Sequence, residues 1–169
     1  MNIGVTVIKS RRSVRSYKDI PVPEEAIGDA LECARQAPSA RNEQPWLFGV
    51  IRDRSLLGAI ADLTDHGKFI AQAALCFAVF AERDAKYYLE DGCAATEQLI
   101  LGLWSHGVGS CWVAGDKKKY AESVRELLGV PPEYTLISLI PAGFPADITL
   151  TRKKDAEDIT FFDHFEGSH

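Results

Sequence analysis

Between Glu24 and Gln36 apolar positions recur at helical spacing: Ile27, Ala30, Leu31 and Ala34 form one face behind Pro23, and Pro38 closes the segment. Trp46 to Ile51 then reads as a strand and Ser55 to Leu63 as a short helix. From Ala73 to Ala81 the chain is continuously apolar over a strand's length, the pattern of a central strand covered on both faces. Glu90 to His106 sets Cys93, Glu97, Ile100 and Trp104 on one stripe with Ala94 and Leu101 beside it, which predicts a core helix ended by a left-handed cap at Gly107. Val108 to Ala114 predicts a strand, Lys118 to Leu128 a helix closed by Gly129, and Tyr134 to Pro141 a further strand. Strands and helices alternate, so the pattern predicts an α/β or α+β architecture in three layers.

No repeat, low-complexity tract or Gly/Ser linker divides the 169 residues, which fit one domain with a real core. After Phe144-Pro145 the chain turns polar and then offers Ile159, Phe161, Phe162 and Phe165 without a periodic partner. Exposed aromatics are costly, so this arm, from about 146 to 169, is expected to dock on its own domain or on another subunit, and we favour the second. With 46% hydrophobic and 25% charged residues the composition is that of an ordinary globular protein. The formal charge of −5 gives no overall field for nucleic acid. Met1 to Ser10 lacks the features of a secretory signal, and the longest apolar stretch, Ala71 to Ala81, is about half the ~20 residues of a membrane helix. A cytoplasmic protein without a membrane partner is expected. Cys33, Cys76, Cys93 and Cys111 form no C-x-x-C pair and sit in apolar segments, as buried free thiols do.

Against this acidic background, Ser10-Arg11-Arg12-Ser13-Val14-Arg15-Ser16-Tyr17 concentrates guanidiniums and hydroxyls, a set suited to a phosphate; the same run also reads as a solvated basic stretch near a terminus. A second basic cluster, Arg152-Lys153-Lys154, lies near the other end. Gly107-Val108-Gly109 follows a helix and lacks a third glycine, which argues against a dinucleotide fingerprint. His66, His106, His164 and His169 lack metal-ligand spacing, and no metal is expected. Glu24-Glu25 and Asp155-Glu157-Asp158 read as helix-start and solvent-facing charges. A chain rich in anion-binding features and poor in catalytic side chains points to a reactive group borrowed from a phosphorylated cofactor, with no catalytic residue of its own.

Taken in order, Arg11-Arg12-Ser13-Val14-Arg15-Ser16-Tyr17, Ala37-Pro38-Ser39-Ala40-Arg41-Asn42-Glu43-Gln44-Pro45-Trp46, Gly107-Val108-Gly109-Ser110-Cys111-Trp112, Gly143-Phe144-Pro145 and Arg152-Lys153-Lys154 resemble the motifs of the nitroreductase family of FMN-dependent oxidoreductases. The resemblance spans nearly the whole chain. It implies an α+β, nitroreductase-like fold with a mixed central sheet flanked by helices, and a homodimer holding FMN at its interface. It implies Arg11 and Ser13 on the FMN phosphate with Lys153 and Arg152, Lys154 being the other C-terminal alternative, and Arg12 beside phosphate and ribityl. It puts Arg15 at N1 and O2 of the ring, where a cation stabilises the reduced state. Pro38, Ser39 and Asn42, from the other subunit, would line the flavin with Gln44 nearby, and Trp112, Val113 and Ala114 would pass the ring through their backbone. The implied activity is ping-pong transfer from NADH or NADPH through FMN to a nitroaromatic or quinone. Storage or sensing of FMN, flavin cleavage and dehalogenation are the alternatives. Asp155 stands where members often carry proline, and Glu82 to Gly92 is too short for the helical lid on which dehalogenating relatives rely. Tyr87 and Tyr88 either border the pocket or pack.

Overall fold

A computed structural model of the chain describes residues 2–165, so His169 and the last residues of the expected arm lie outside the description. In chain order the elements are α1 (Ile3–Ser10), α2 (Glu24–Arg35), β1 (Trp46–Ile51), α3 (Arg54–Leu63), β2 (Leu75–Glu82), α4 (Tyr88–Ser105), β3 (Gly109–Ser110), β4 (Val113–Ala114), α5 (Ala121–Leu127) and β5 (Tyr134–Gly143). Among the described residues no helix is long and apolar enough to cross a membrane.

The sheet runs β1-β2-β5-β3, with β4 also on β5, and every pairing of these strands is antiparallel. Among the described residues its parallel component is a single bridge, Ser13 to Ser110. Strand β2 is buried along its length except at Glu82, and its alternating side chains divide the core in two. Leu75, Phe77, Val79 and Ala81 pack with α2 and α4, through Ala26, Ile27, Ala30, Leu99 and Leu103. Cys76, Ala78 and Phe80 face α3 and α5, through Leu57, Ile60 and Val124. A strand with two apolar faces needs a helical layer on each, and the three layers follow. Helices α2 and α4 approach closely where Gly102 meets Ala30: a Cβ at Gly102 would stand 3.0 Å from the Ala30 Cα.

Local chemistry sets the boundaries. Asp53 accepts from the Ser55 and Leu56 amides at 2.8 and 3.0 Å, starting α3 one residue before the expected Ser55. Gly107 and Gly129 end their helices at φ 72° and 66°. Helix α1 has no counterpart in the predicted elements: Asn2 caps it through the Val5 amide at 3.3 Å, and none of its residues is buried. The expected strand over Val108–Ala114 is broken into β3 and β4. Cys111 lies opposite Pro141 and donates its amide to the Pro141 carbonyl at 3.3 Å, but proline has no N–H to return the bond, so the ladder lapses at Cys111-Trp112.

Residues 13–18 are laid against this side of the sheet. The Val14 amide donates to Ser110 O at 2.9 Å, Lys18 to Phe144 O at 2.8 Å, and Ala146 back to Ser16 O at 2.9 Å. That approach needs a bare backbone at Gly109, where a Cβ would lie 2.6 Å from Val14 Cγ2 and 2.9 Å from Pro145 Cγ. Gly109→Ala is expected to destabilise the fold by roughly 1–3 kcal/mol, the usual cost of overpacking, measured by chemical denaturation.

Candidate functional site

Arg11, Arg12, Ser13 and Arg15 meet Lys153, Thr149 and Thr151 around a cavity of about 240 Å³. The two ends of the chain therefore converge there, although more than 130 residues separate Arg15 from Thr149 in the sequence. Alternation in the bridged segment does part of this work: Val14 is 1% exposed and anchors the run, leaving Ser13 and Arg15 to point away from the core. Arg12 donates to Lys9 O at 2.9 Å and Arg11 O at 2.8 Å, which fixes its guanidinium, while its Nε is buried without a partner. The one nearby counter-charge on Arg11 is Glu97, 3.8 Å away. Four cations, with Glu97 the one carboxylate in ion-pair range of them among the described residues and with hydroxyls between them, form a receptor for a compact polyanion.

Of the C-terminal cations only Lys153 lines this cavity. Arg152, expected beside it, is turned to solvent with its side chain 86% exposed and pairs with Asp155 at 3.1 Å; the alternate residues Thr149, Thr151 and Lys153 face the cavity, which leaves Arg152 on the other side of the chain. Lys154 is exposed and also outside.

Arg15 lines a second cavity of about 190 Å³ as well, so the two spaces share a wall. Its lining includes the expected Trp112, Val113 and Ala114, and adds Phe69, Tyr120, Asp65, His66, Lys118 and Cys111, none of which the sequence patterns marked as a site. The Arg15 guanidinium stands 6.0 Å from the Phe69 ring centre, a cation over an aromatic face. Tyr120 donates to Ala114 O and holds the rim. Burial pushes the Cys111 thiol above the usual range, partly offset by Arg15 and Arg11. The Cys76 thiol is pushed up by complete burial, and all four cysteines are free, Cys76 and Cys111 buried and Cys33 and Cys93 partly so. Residues such as Lys118 and Thr151 carried no signal because only folding places them beside Arg15.

The Pro38–Gln44 loop stands apart. Pro38, Ser39, Asn42 and Gln44 line neither cavity of their own chain, and Pro38, Asn42 and Gln44 are exposed. Arg41, Asn42 and Gln44 adopt φ of 54°, 61° and 51°, a left-handed conformation that costs a residue other than glycine roughly 1–3 kcal/mol. The loop is over-determined by local bonds: Gln44 N donates to Ser39 Oγ at 3.1 Å, Asn42 N to Ser39 O at 3.1 Å, and Ala40 N to Asp91 Oδ1 on α4 at 3.0 Å. Tyr87 and Tyr88 line neither cavity; Tyr88 donates to Asp116 Oδ1 at 3.0 Å, and Tyr87 lies beneath the Lys86 ammonium. The turn between β2 and α4, residues 83–87, is short.

A fold of this topology with such a paired cavity defines a class, and comparison with known proteins names it. The model of the nitroreductase family matches residues 8–66 and 64–144. The chain is 35% identical over 147 residues to an Archaeoglobus fulgidus protein provisionally named NADH dehydrogenase/NAD(P)H nitroreductase, covering 83% of this chain and 84% of that one. It is 29% identical to an iodotyrosine deiodinase of Thermotoga neapolitana, over 87% of this chain and 91% of the relative. A provisionally named nitroreductase of Desulfovibrio desulfuricans, solved in complex with FMN, superposes with a TM-score of 0.87 at 28% identity, covering 98% and 99% of the two chains. The chain belongs to the nitroreductase family.

Tyr17 holds the cation-bearing segment in register: its hydroxyl lies 2.7 Å from Val14 O and 3.1 Å from Pro141 O and donates between them. Burial pushes its phenol far above the ordinary range, with Cys111 and Cys76 adding to the shift and Arg15 opposing it. Tyr17→Phe takes the donor from Val14 O, while Pro141 O keeps the Cys111 amide, and is expected to lower stability by about 1–3 kcal/mol, read from urea denaturation followed by circular dichroism.

Proposed function

We propose that the protein is an FMN-dependent NAD(P)H:acceptor oxidoreductase that works as a homodimer. The observation that carries this reading is the cation-lined cavity joined through Arg15 to an aromatic one, a fit for a phosphate on one side and a flat ring on the other. Arg11, Ser13 and Lys153 hold the phosphate with Thr149 and Thr151, and Arg12, whose Nε is unpartnered, lies beside them. Trp112, Val113 and Ala114 border the ring. When bound, FMN supplies two-electron exchange, accepting hydride from NADH or NADPH and passing electrons to a small acceptor such as a nitroaromatic or quinone. Arg15 offers a fixed positive charge to the ring edge that becomes more negative on reduction. No acid or base of the protein is required.

Pro38, Ser39, Asn42 and Gln44 complete the site from a second copy, since their own chain directs them away from its cavities. The surfaces available for that assembly support it. Ile3, Val5 and Ile8 of α1 and Leu150, Ile159, Phe161 and Phe162 of the arm are all exposed. Covering each large side chain contributes roughly 1.5–3 kcal/mol. A dehalogenating activity is favoured by relatives that are deiodinases, that of Thermotoga neapolitana among them; the short turn over residues 83–87 argues for open access to the ring.

The purified protein is expected to be yellow and to bleach rapidly with NADH or NADPH under anaerobic conditions. A flavin-loaded protein that no nicotinamide reduces is a storage or sensor protein, and a colourless one that FMN does not titrate sinks the reading. Arg11→Ala is expected to weaken FMN binding about tenfold or more, as loss of a charge-assisted bond does, with little change in reduction potential. Arg15→Ala should lower the potential more than it weakens binding; spectroelectrochemistry and fluorescence titration distinguish the two.

Mixed dimers test the shared site. A subunit carrying Arg11→Ala joined to one carrying Asn42→Gly, which keeps the positive φ and deletes the amide, places both lesions in one site. One site should then retain wild-type flavin affinity. Equal impairment of both sites, or a flavin-loaded monomer in sedimentation, contradicts the composite arrangement.

A further inference from the structure

Asp91 sits in the first turn of α4, 5% exposed, and its side chain is spent on one contact. Oδ1 accepts from the Ala40 amide at 3.0 Å, across 51 residues of sequence, and Oδ2 is buried with no partner. A buried carboxyl group with an idle oxygen is costly. The N-terminal end of α4, with its unpaired amides, offsets part of that cost, but an uncharged residue would avoid it altogether. What the side-chain oxygen does is anchor the middle of the Pro38–Gln44 loop. The bonds from Gln44 N to Ser39 Oγ and from Asn42 N to Ser39 O are internal to the loop, and they support its turn without joining it to the body of the protein. Ala40 precedes the two consecutive left-handed residues, Arg41 and Asn42, and its amide is the tether to α4.

We propose that Asp91 is the positioning residue of this loop, receiving the Ala40 amide so that Arg41 and Asn42 stay left-handed and Asn42 is presented, already ordered, to the flavin of the neighbouring subunit. The inference rests on the function proposed above and adds to it a residue that touches neither cavity. It also gives α4 a role on both sides of the dimer, because one helical turn earlier Tyr88 holds Asp116, two residues from the cavity-lining Lys118. Preordering matters because a loop that has to find a strained conformation on binding loses affinity in proportion to the population of that conformation.

The test compares D91A and D91N in the flavin-loaded protein. Asn retains an oxygen for the Ala40 amide and lacks the charge; Ala removes both. D91A is expected to raise the FMN dissociation constant about tenfold or more and to shift the visible flavin bands toward those of free FMN. D91N should stay within about threefold of wild type and keep the wild-type spectrum. Thr96→Val is the control: Thr96 is equally buried on the same helix and bonds Gly92 O and Ser138 Oγ, so its loss should lower stability and leave affinity and spectrum alone. D91A with wild-type affinity, or flavin loss in all three variants in proportion to lost stability, overturns the proposal.

Hydrogen exchange at the Ala40 amide serves if D91A does not fold or if no FMN binds. Protection in the wild type and in D91N supports the tether, and exchange at the rate of an open loop in the wild type overturns it. A wild-type protein that fails to bind FMN but protects Ala40 therefore counts against the proposed function and leaves the tether standing.

Discussion

One hydroxyl joins the part of the chain that carries the positive charge to the part that carries the fold. Tyr17 bridges Val14 O and Pro141 O, tying the N-terminal run to β5, the strand that pairs with β2 on one side and with β3 and β4 on the other. Around that bond the backbone of 13–18 lies directly on the sheet, and the contact is close enough that Gly109 and Gly143 could not carry a Cβ without displacing Val14 or Tyr17. Everything proposed for the site depends on this docking, since it lays the backbone that carries Ser13 and Arg15 against the sheet.

Electrostatically the molecule separates its local from its global charge. The whole chain is at −5, yet Arg11, Arg12, Arg15 and Lys153 face a single cavity, and among the described residues only Glu97 comes within ion-pair range of them. Like charges brought together in this way destabilise an empty site and are relieved by an anion, so stability and ligand affinity draw on the same interaction. The lone Nε of Arg12 has the same character: a donor desolvated in advance of its acceptor.

The Pro38–Gln44 loop shows the complementary economy. Three residues other than glycine hold positive φ, and short-range bonds to Ser39 together with Asp91 keep them there. The exposed apolar side chains of α1 and the arm are the surfaces that the dimer proposed above would cover.

Hydrophobic periodicity alone determined most of the architecture: the α2, α3 and α4 faces, the two-sided apolar run of β2 and the glycine caps at 107 and 129 are local patterns, and local patterns survive without knowledge of neighbours. The order of the basic and proline-flanked motifs was legible for the same reason. Tertiary structure decided the rest. Helix α1 buries none of its residues, so no core-facing stripe sets its place, and the break at Cys111-Trp112 came from Pro141, a residue 30 positions away that cannot donate a ladder bond. Which of Arg152 and Lys153 faces the cavity depended on how the arm lies against it, and the partnership of Asp91 with Ala40 on two elements meeting across the fold. Spacing along a chain encodes which face a residue occupies, whereas the groups that face will meet are set only when distant segments pack.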